Sequence, residues 1–242
     1  MKHLSIALVP AALLSVFFTC SAVADEAIDE IIVTADFRER PADKLPVSVS
    51  VVSGDFIREA VQQPFEDLVN VIPNLHWSGD GHRARYFQIR GIGELEQYEG
   101  APNPSVGFLI DDIDFSGIGT VATLFDMQSI EVLRGPQGSR YGANALAGLV
   151  YMRSTAPSTE RDGRLQLTVG DDDALSVGAA FGGALDEDER VVFRVSGQHH
   201  ESNGFRNNSY LNRDDTNGRN ETSLRARLRA SVGDDLEMNL AA

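Results

Sequence analysis

From Gly163 to Ala242 apolar residues recur at every second position. That period of two constrains the chain more than any other feature, because it demands extended strands with one apolar and one polar face. Leu165, Leu167 and Val169 share a side opposite Arg164, Gln166 and Thr168. Leu175, Val177, Ala179 and Phe181 oppose Ser176, Gly178, Ala180 and Gly182, and Val191, Phe193 and Val195 oppose Arg194 and Ser196. Leu224, Ala226, Leu228, Ala230 and Val232 then oppose Arg225, Arg227, Arg229 and Ser231, while Leu236, Met238 and Leu240 begin one more run. A soluble half-buried sheet and a membrane barrel both present such a face. The connections separate them: 170–173, 186–189 and 233–235 are short, whereas 201–221 is long, polar and rich in Asn, Asp and Gly. Short turns at one end with an occasional long loop at the other suit a barrel. The arginine row at 225, 227 and 229 then belongs on the inner side, since each charge facing lipid near the midplane costs several kcal/mol.

A formal net charge of −15 excludes a nucleic-acid binder, which needs a concentrated basic stripe. Cys20 is the only cysteine, and it precedes a small-x-small site at Ala22-Val23-Ala24. Lys2 and His3, then the apolar run Leu4 to Phe18, complete the pattern of a cleaved export signal over residues 1–24. The run is short for a bilayer span, and no basic stop-transfer cluster follows it. A lipoprotein reading through Cys20 meets Thr19 where Gly or Ala is wanted.

Between these ends the pattern is mixed. LPVSVSVV at 45–52 alternates and closes at Ser53-Gly54, which predicts a strand and turn. Helical spacing follows at Phe56, Ile57, Ala60 and Val61, then at Phe65, Leu68, Val69 and Ile72, so two short amphipathic helices are expected, punctuated by Pro64 and Pro73. Asn74 to Tyr86 reads as a polar loop carrying the only Trp and an His-Arg-x-Arg cluster; His82 has no second metal ligand at a suitable spacing. Phe87 to Gly91 reads as a strand, and Ile92 to Pro104 as a long loop rich in Gly, Pro and acids. VGFLIDDIDF at 106–115 predicts a hairpin whose turn is Asp111-Asp112, and turn chemistry explains those aspartates without a metal. Ser129 to Met152 reads strand, glycine-studded turn, strand; a phosphate-cradling loop fails there, because Arg140 and Tyr141 stand where Lys and Ser/Thr belong.

The stretch 129–152 with its LRGP at 133–136, and IRG at 89–91, closely resembles the plug domain of TonB-dependent outer-membrane receptors. Beside that resemblance Glu30, Ile31, Ile32, Val33, Thr34 and Ala35 look like a TonB box, a free extended peptide that adds to TonB's sheet; on composition alone they form a linker with one sticky patch. The resemblance implies an α+β plug domain followed by the first antiparallel strands of a transmembrane β-barrel. The expected organisation is a signal peptide at 1–24, box and linker at 25–44, plug at 45–157, and about four barrel strands at 158–242. Plugged transporters close with about 22 strands, so a fragment is expected. Arg90 and Arg134 resemble the arginines that tie plug to barrel through acidic partners. Arg83, Arg85, Glu94, Glu96 and Tyr98 sit in loops that by analogy face an arriving ligand, although the same residues read equally well as a solvated surface. The implied partners are TonB with its inner-membrane energising complex, a metal chelate or other small ligand, and outer-membrane lipid, with no cofactor. The rival is a soluble periplasmic binding or interaction module without a pore; a hydrolase lacks a nucleophile-elbow serine and a triad partner for His199-His200.

Overall fold

A computed structural model describes residues 32–33, 40–41, 44–60, 64–79, 83–96, 104–118, 122–233 and 236–242. The expected signal peptide lies outside them, as do Glu30, Ile31, Thr34, Ala35, His82 and Tyr98. Ile32–Val33 (β1) and Arg40–Pro41 (β2) pair antiparallel, with Ile32 opposite Pro41 and Val33 opposite Arg40. The middle of the box is therefore engaged within its own chain, where a free strand was expected, and Val33 is fully buried.

Two sheets organise the rest. The first begins with Ser48–Ser53 (β3), and Ser53 then caps the six-residue helix Gly54–Glu59 (α1), accepting from the Phe56 amide at 3.2 Å. A second helix, Phe65–Leu68 (α2), runs into a turn of 3-10 helix at Val69–Val71. Both helices are shorter than the apolar spacing implies. Leu75–Ser78 (β4) and Tyr86–Ile89 (β5) form a hairpin with Leu75 opposite Ile89 and Trp77 opposite Phe87. The polar stretch read as a loop thus contains a strand, because Leu75 goes into the core while His76 and Trp77 stay outside.

Val106–Ile110 (β6) turns at Asp111-Asp112 into Ile113–Asp114 (β7). Both turn residues have positive φ, 48° and 69°, the geometry that favours Asp and Asn in two-residue hairpins. Met127–Arg134 (β8) and Gly148–Ser154 (β9) enclose the short helix Gly138–Tyr141 (α3), which the glycine-rich spacing did not announce. The strand order is β3-β8-β9-β6-β7, with β6 and β9 parallel and the other pairs antiparallel. Gly148 is required where it stands: a Cβ there would lie 2.6 Å from Ile89 Cδ1. The core is built around Phe65, Phe87 and Phe108, whose ring centroids lie 5.1 to 5.3 Å apart in stacked and edge contacts.

The second sheet consists of Asp162–Val169 (β10), Leu175–Ala184 (β11), Val191–Ser202 (β12), Arg219–Val232 (β15) and Leu236–Ala241 (β16), paired antiparallel in that order. The long connection between β12 and β15 carries its own small hairpin, Arg206–Asn208 (β13) and Arg213–Thr216 (β14). Side-chain exposure runs opposite to that of a soluble sheet. Leu165, Val169 and Leu224 are 81, 74 and 77% exposed, while Ser176, Arg194, Ser196 and Gln198 on the other face are buried. An apolar outside and a polar inside is what a lipid-facing strand wall requires. The sheet is open, with β10 and β16 as its outer strands.

Candidate functional site

The polar face of the strand wall meets the first domain along a seam built chiefly from arginines of the wall and oxygens of the domain. Alternation puts Arg194 of β12 on the inner face, where register places it opposite Arg227 of β15. Two like charges side by side in a buried seam need acceptors, and the first domain supplies them. Arg194 forms a fork with Asp126, Nε to Oδ2 at 2.7 Å and Nη2 to Oδ1 at 2.6 Å, and its Nη1 also reaches both Asp162 oxygens at 3.0 and 2.9 Å. Arg194 and Asp126 are 6 and 3% exposed. Arg227 donates to the Ser154 carbonyl at 2.8 Å and lies 3.4 Å from Asp111 Oδ1. Arg225 donates to the Phe125 carbonyl and, at 3.4 Å, to that of Thr123.

Shape complements charge. Phe125 projects against β11 at Gly178, where an added Cβ would lie 2.6 to 2.9 Å from three ring atoms, and the Arg164 guanidinium covers the ring at 5.4 Å. The turn aspartates serve the domain itself: Asp111 accepts from the Ser154 amide and hydroxyl at 2.9 and 2.6 Å, and Asp112 accepts from the Tyr151 hydroxyl at 2.6 Å. Burial, with the Asp112 contact, drives the Tyr151 phenol far above its ordinary range.

A second cluster lies at the end of the wall that bears the long 203–218 connection. Arg83 donates to Glu66 Oε1 at 2.7 Å and pairs with Glu221 of β15, while Arg219 stands 3.7 Å from the same Glu66 oxygen. Arg83 therefore bridges α2 to the wall. Of the other loop residues, Arg85 packs its guanidinium over the Tyr86 ring at 5.2 Å, and Glu94 accepts from the Ser105 amide and hydroxyl, the latter at 2.6 Å. The Glu94 carboxylate thus staples the base of the acidic loop, whereas Glu96 is exposed.

The two arginines matched to plug-to-barrel ties are both on the first domain. Arg134 donates to the Pro73 carbonyl at 3.1 and 2.9 Å and to Ser50 Oγ at 2.6 Å, so its contacts among the described residues stay within that domain. Arg90, at positive φ (55°), is exposed and near enough that, after burial, its charge is what lowers the Arg134 pKa. The arginines that cross the seam are instead Arg194, Arg225 and Arg227 of the wall. Their inward orientation follows from alternation, but their partners lie 68 to 116 residues away in the chain.

A small α+β domain seated against the inner, polar face of lipid-facing antiparallel strands defines a plugged outer-membrane wall. The profile "TonB-dependent Receptor Plug Domain" matches residues 41–149. The pesticin receptor of Yersinia pestis is 29% identical over 138 residues, 56% of this chain and 20% of that protein. The vitamin B12 transporter of Vibrio vulnificus is 23% identical over 206 residues, 85% of this chain and 33% of that protein. Among solved structures, the ferric yersiniabactin uptake receptor of Yersinia pestis superposes with a TM-score of 0.71 at 26% identity, covering 84% of this chain and 32% of that one. The chain belongs to the TonB-dependent receptors: it comprises their plug domain and antiparallel strands of their barrel, and spans a fifth to a third of the length of these relatives.

Proposed function

We propose that the protein is an outer-membrane receptor for energised uptake of a scarce ligand, with an iron-siderophore complex as the favoured cargo, and that it performs no covalent chemistry. The carrying observation is the plug seated by Arg194, Arg225 and Arg227 against a wall whose other face is apolar. A soluble periplasmic module would leave that apolar face in water. Likeness to a ferric yersiniabactin uptake receptor supports the choice of cargo, and the vitamin B12 transporter keeps cobalamin as the comparison ligand.

In this reading residues 1–24 direct export and are removed, and Glu30, Ile31, Ile32, Val33, Thr34 and Ala35 pair with TonB in the periplasm by strand addition. The β1–β2 pairing must first open, because one backbone edge cannot serve two partners. TonB, driven by its inner-membrane complex, then pulls the plug. Arg85, Glu96 and Tyr98 face the arriving ligand; Arg83 and Glu94 hold the loops that carry them. Arg90 and Arg134 form a cationic pair for acidic residues of barrel strands farther along the receptor. Deleting Glu30–Ala35 from the intact receptor should abolish uptake of a ferric siderophore and leave its binding to cells unchanged. Undiminished uptake would sink the mechanism.

A further inference from the structure

The seam is not evenly distributed over the plug, and its unevenness divides the plug into a part that is held and a part that is free to leave. Segment 122–127, immediately before and into β8, touches four consecutive strands of the wall. Arg164 of β10 covers the Phe125 ring, Gly178 of β11 receives it, Arg194 of β12 grips Asp126, and Arg225 of β15 takes the carbonyls of Thr123 and Phe125. Ser223 adds a hydroxyl contact to Thr123 at 3.3 Å. Asp126 sits at φ 58°, an uncommon conformation that its buried fork with Arg194 helps to hold.

On the opposite flank β3 is the outermost strand of the plug sheet, so one ladder, to β8, attaches it. Its side-chain ties run to Arg134, within the plug, and among the described residues no hydrogen bond or ion pair links β3 or α1 to the wall. The box precedes β3 directly in the chain, so a pull applied there loads an edge strand end-on and reaches segment 122–127 last. Edge strands detach at the expense of a single ladder; buried charge pairs do not.

We infer that Arg194 is the positioning residue that seats the plug, and that segment 122–127 is the plug's fixed point, staying on the wall while β3 and α1 are drawn away. Only the source of the pull rests on the uptake reading; the seating does not.

The test therefore omits ligand and TonB. Two reporters are made in the intact receptor in detergent, in an otherwise cysteine-free background: Val52→Cys on β3 and Leu124→Cys in the held segment, both buried. Maleimide labelling is followed across a urea series. Val52→Cys should react at lower urea than Leu124→Cys. Adding Arg194→Met should raise the Leu124→Cys labelling rate by on the order of a hundredfold at fixed urea, because it leaves Asp126 buried without its cation, while Val52→Cys changes little. Arg194→Lys, which keeps the charge and loses the fork, should fall between, and it serves if the methionine variant does not assemble. Equal urea dependence of the two reporters, or an unchanged Leu124→Cys rate in both Arg194 variants, would overturn the inference. Failure of uptake with these labelling results intact would count against the proposed transport alone.

Discussion

Gly178→Ala isolates the shape of the seam from its charge. The new methyl would sit 2.6 Å from Phe125 Cε2 and 2.9 Å from Cδ2 and Cζ, where carbon pairs settle at about 3.5 to 4.0 Å. Relief requires the ring to move by about 1 Å. Its carbonyl is bonded to Arg225, the next residue is forked to Arg194, and Arg164 lies across the ring, so that movement is opposed on three sides. Overpacking of this kind costs about 1–3 kcal/mol, against a gain of about 0.5–1 kcal/mol from replacing glycine inside a strand. The net is a loss of about 1–2 kcal/mol in plug seating. With an m-value of about 2 kcal/mol per molar urea, the midpoint for plug release, read by pulse proteolysis of the intact receptor, should fall by about 0.5–1 M. Gly163→Ala is the control, because its methyl would make only ordinary contacts at 3.5 Å. Phe125→Ala in the same chain should erase the Gly178→Ala penalty. Equal midpoints for the two glycine variants, or a penalty that survives loss of the ring, would refute the reasoning.

Asp111→Ala removes both acceptors for Ser154 and places alanine at φ 48°; a loss of about 2–3 kcal/mol is expected, read as faster hydrogen exchange at the Ser154 amide. Burial pushes the Asp114 carboxyl up, but hydrogen bonds from Ser116 and Asn144 outweigh it and hold the pKa below the usual value. A depressed folded pKa stabilises the β6–β7 hairpin above about pH 4 and loses that contribution as pH falls through the folded value. Protease nicking of the hairpin should therefore rise on acidification, and Asp114→Asn should flatten the dependence. Burial, then the charges of Asp112 and Glu131, raises the Tyr141 phenol to about 12, so its phenolate absorbance should be absent from a titration at pH 11. Arg134→Ala should free Ser48 and Ser50 and expose β3 to a maleimide probe at lower urea, with no effect on segment 122–127.

Much of the fold lies in residue spacing. Strict alternation from Leu165 onward sets both the strands of the wall and which face each residue takes, because a strand offers only two. Asp111-Asp112 announces its turn for an equally local reason, since two consecutive positive φ values suit few other residues. β4 was hidden because a four-residue strand with one inward apolar residue, Leu75, has no period to detect. The site was less legible. Asp126 stands in an unremarkable TLFDMQ, and nothing local distinguishes it from an exposed aspartate until β12 brings Arg194 to it across 68 residues. Arg83 and Glu94 could be placed in the outward loops by sequence, but their engagement with Glu66, Glu221 and Ser105 depends on how separate loops pack.

The inward arginines also determine what must accompany any movement of the plug. With the plug in place, Asp126, Asp111 and the carbonyls of Phe125 and Ser154 act as a solid counter-ion layer for the wall. Withdraw them into a dry gap and each stranded guanidinium costs several kcal/mol. Water must fill the vacated volume as fast as the protein oxygens leave it, which makes hydration of the lumen part of the opening step. The strip of wall left behind is positively charged and wet, and a passing solute meets it as a weak anion exchanger.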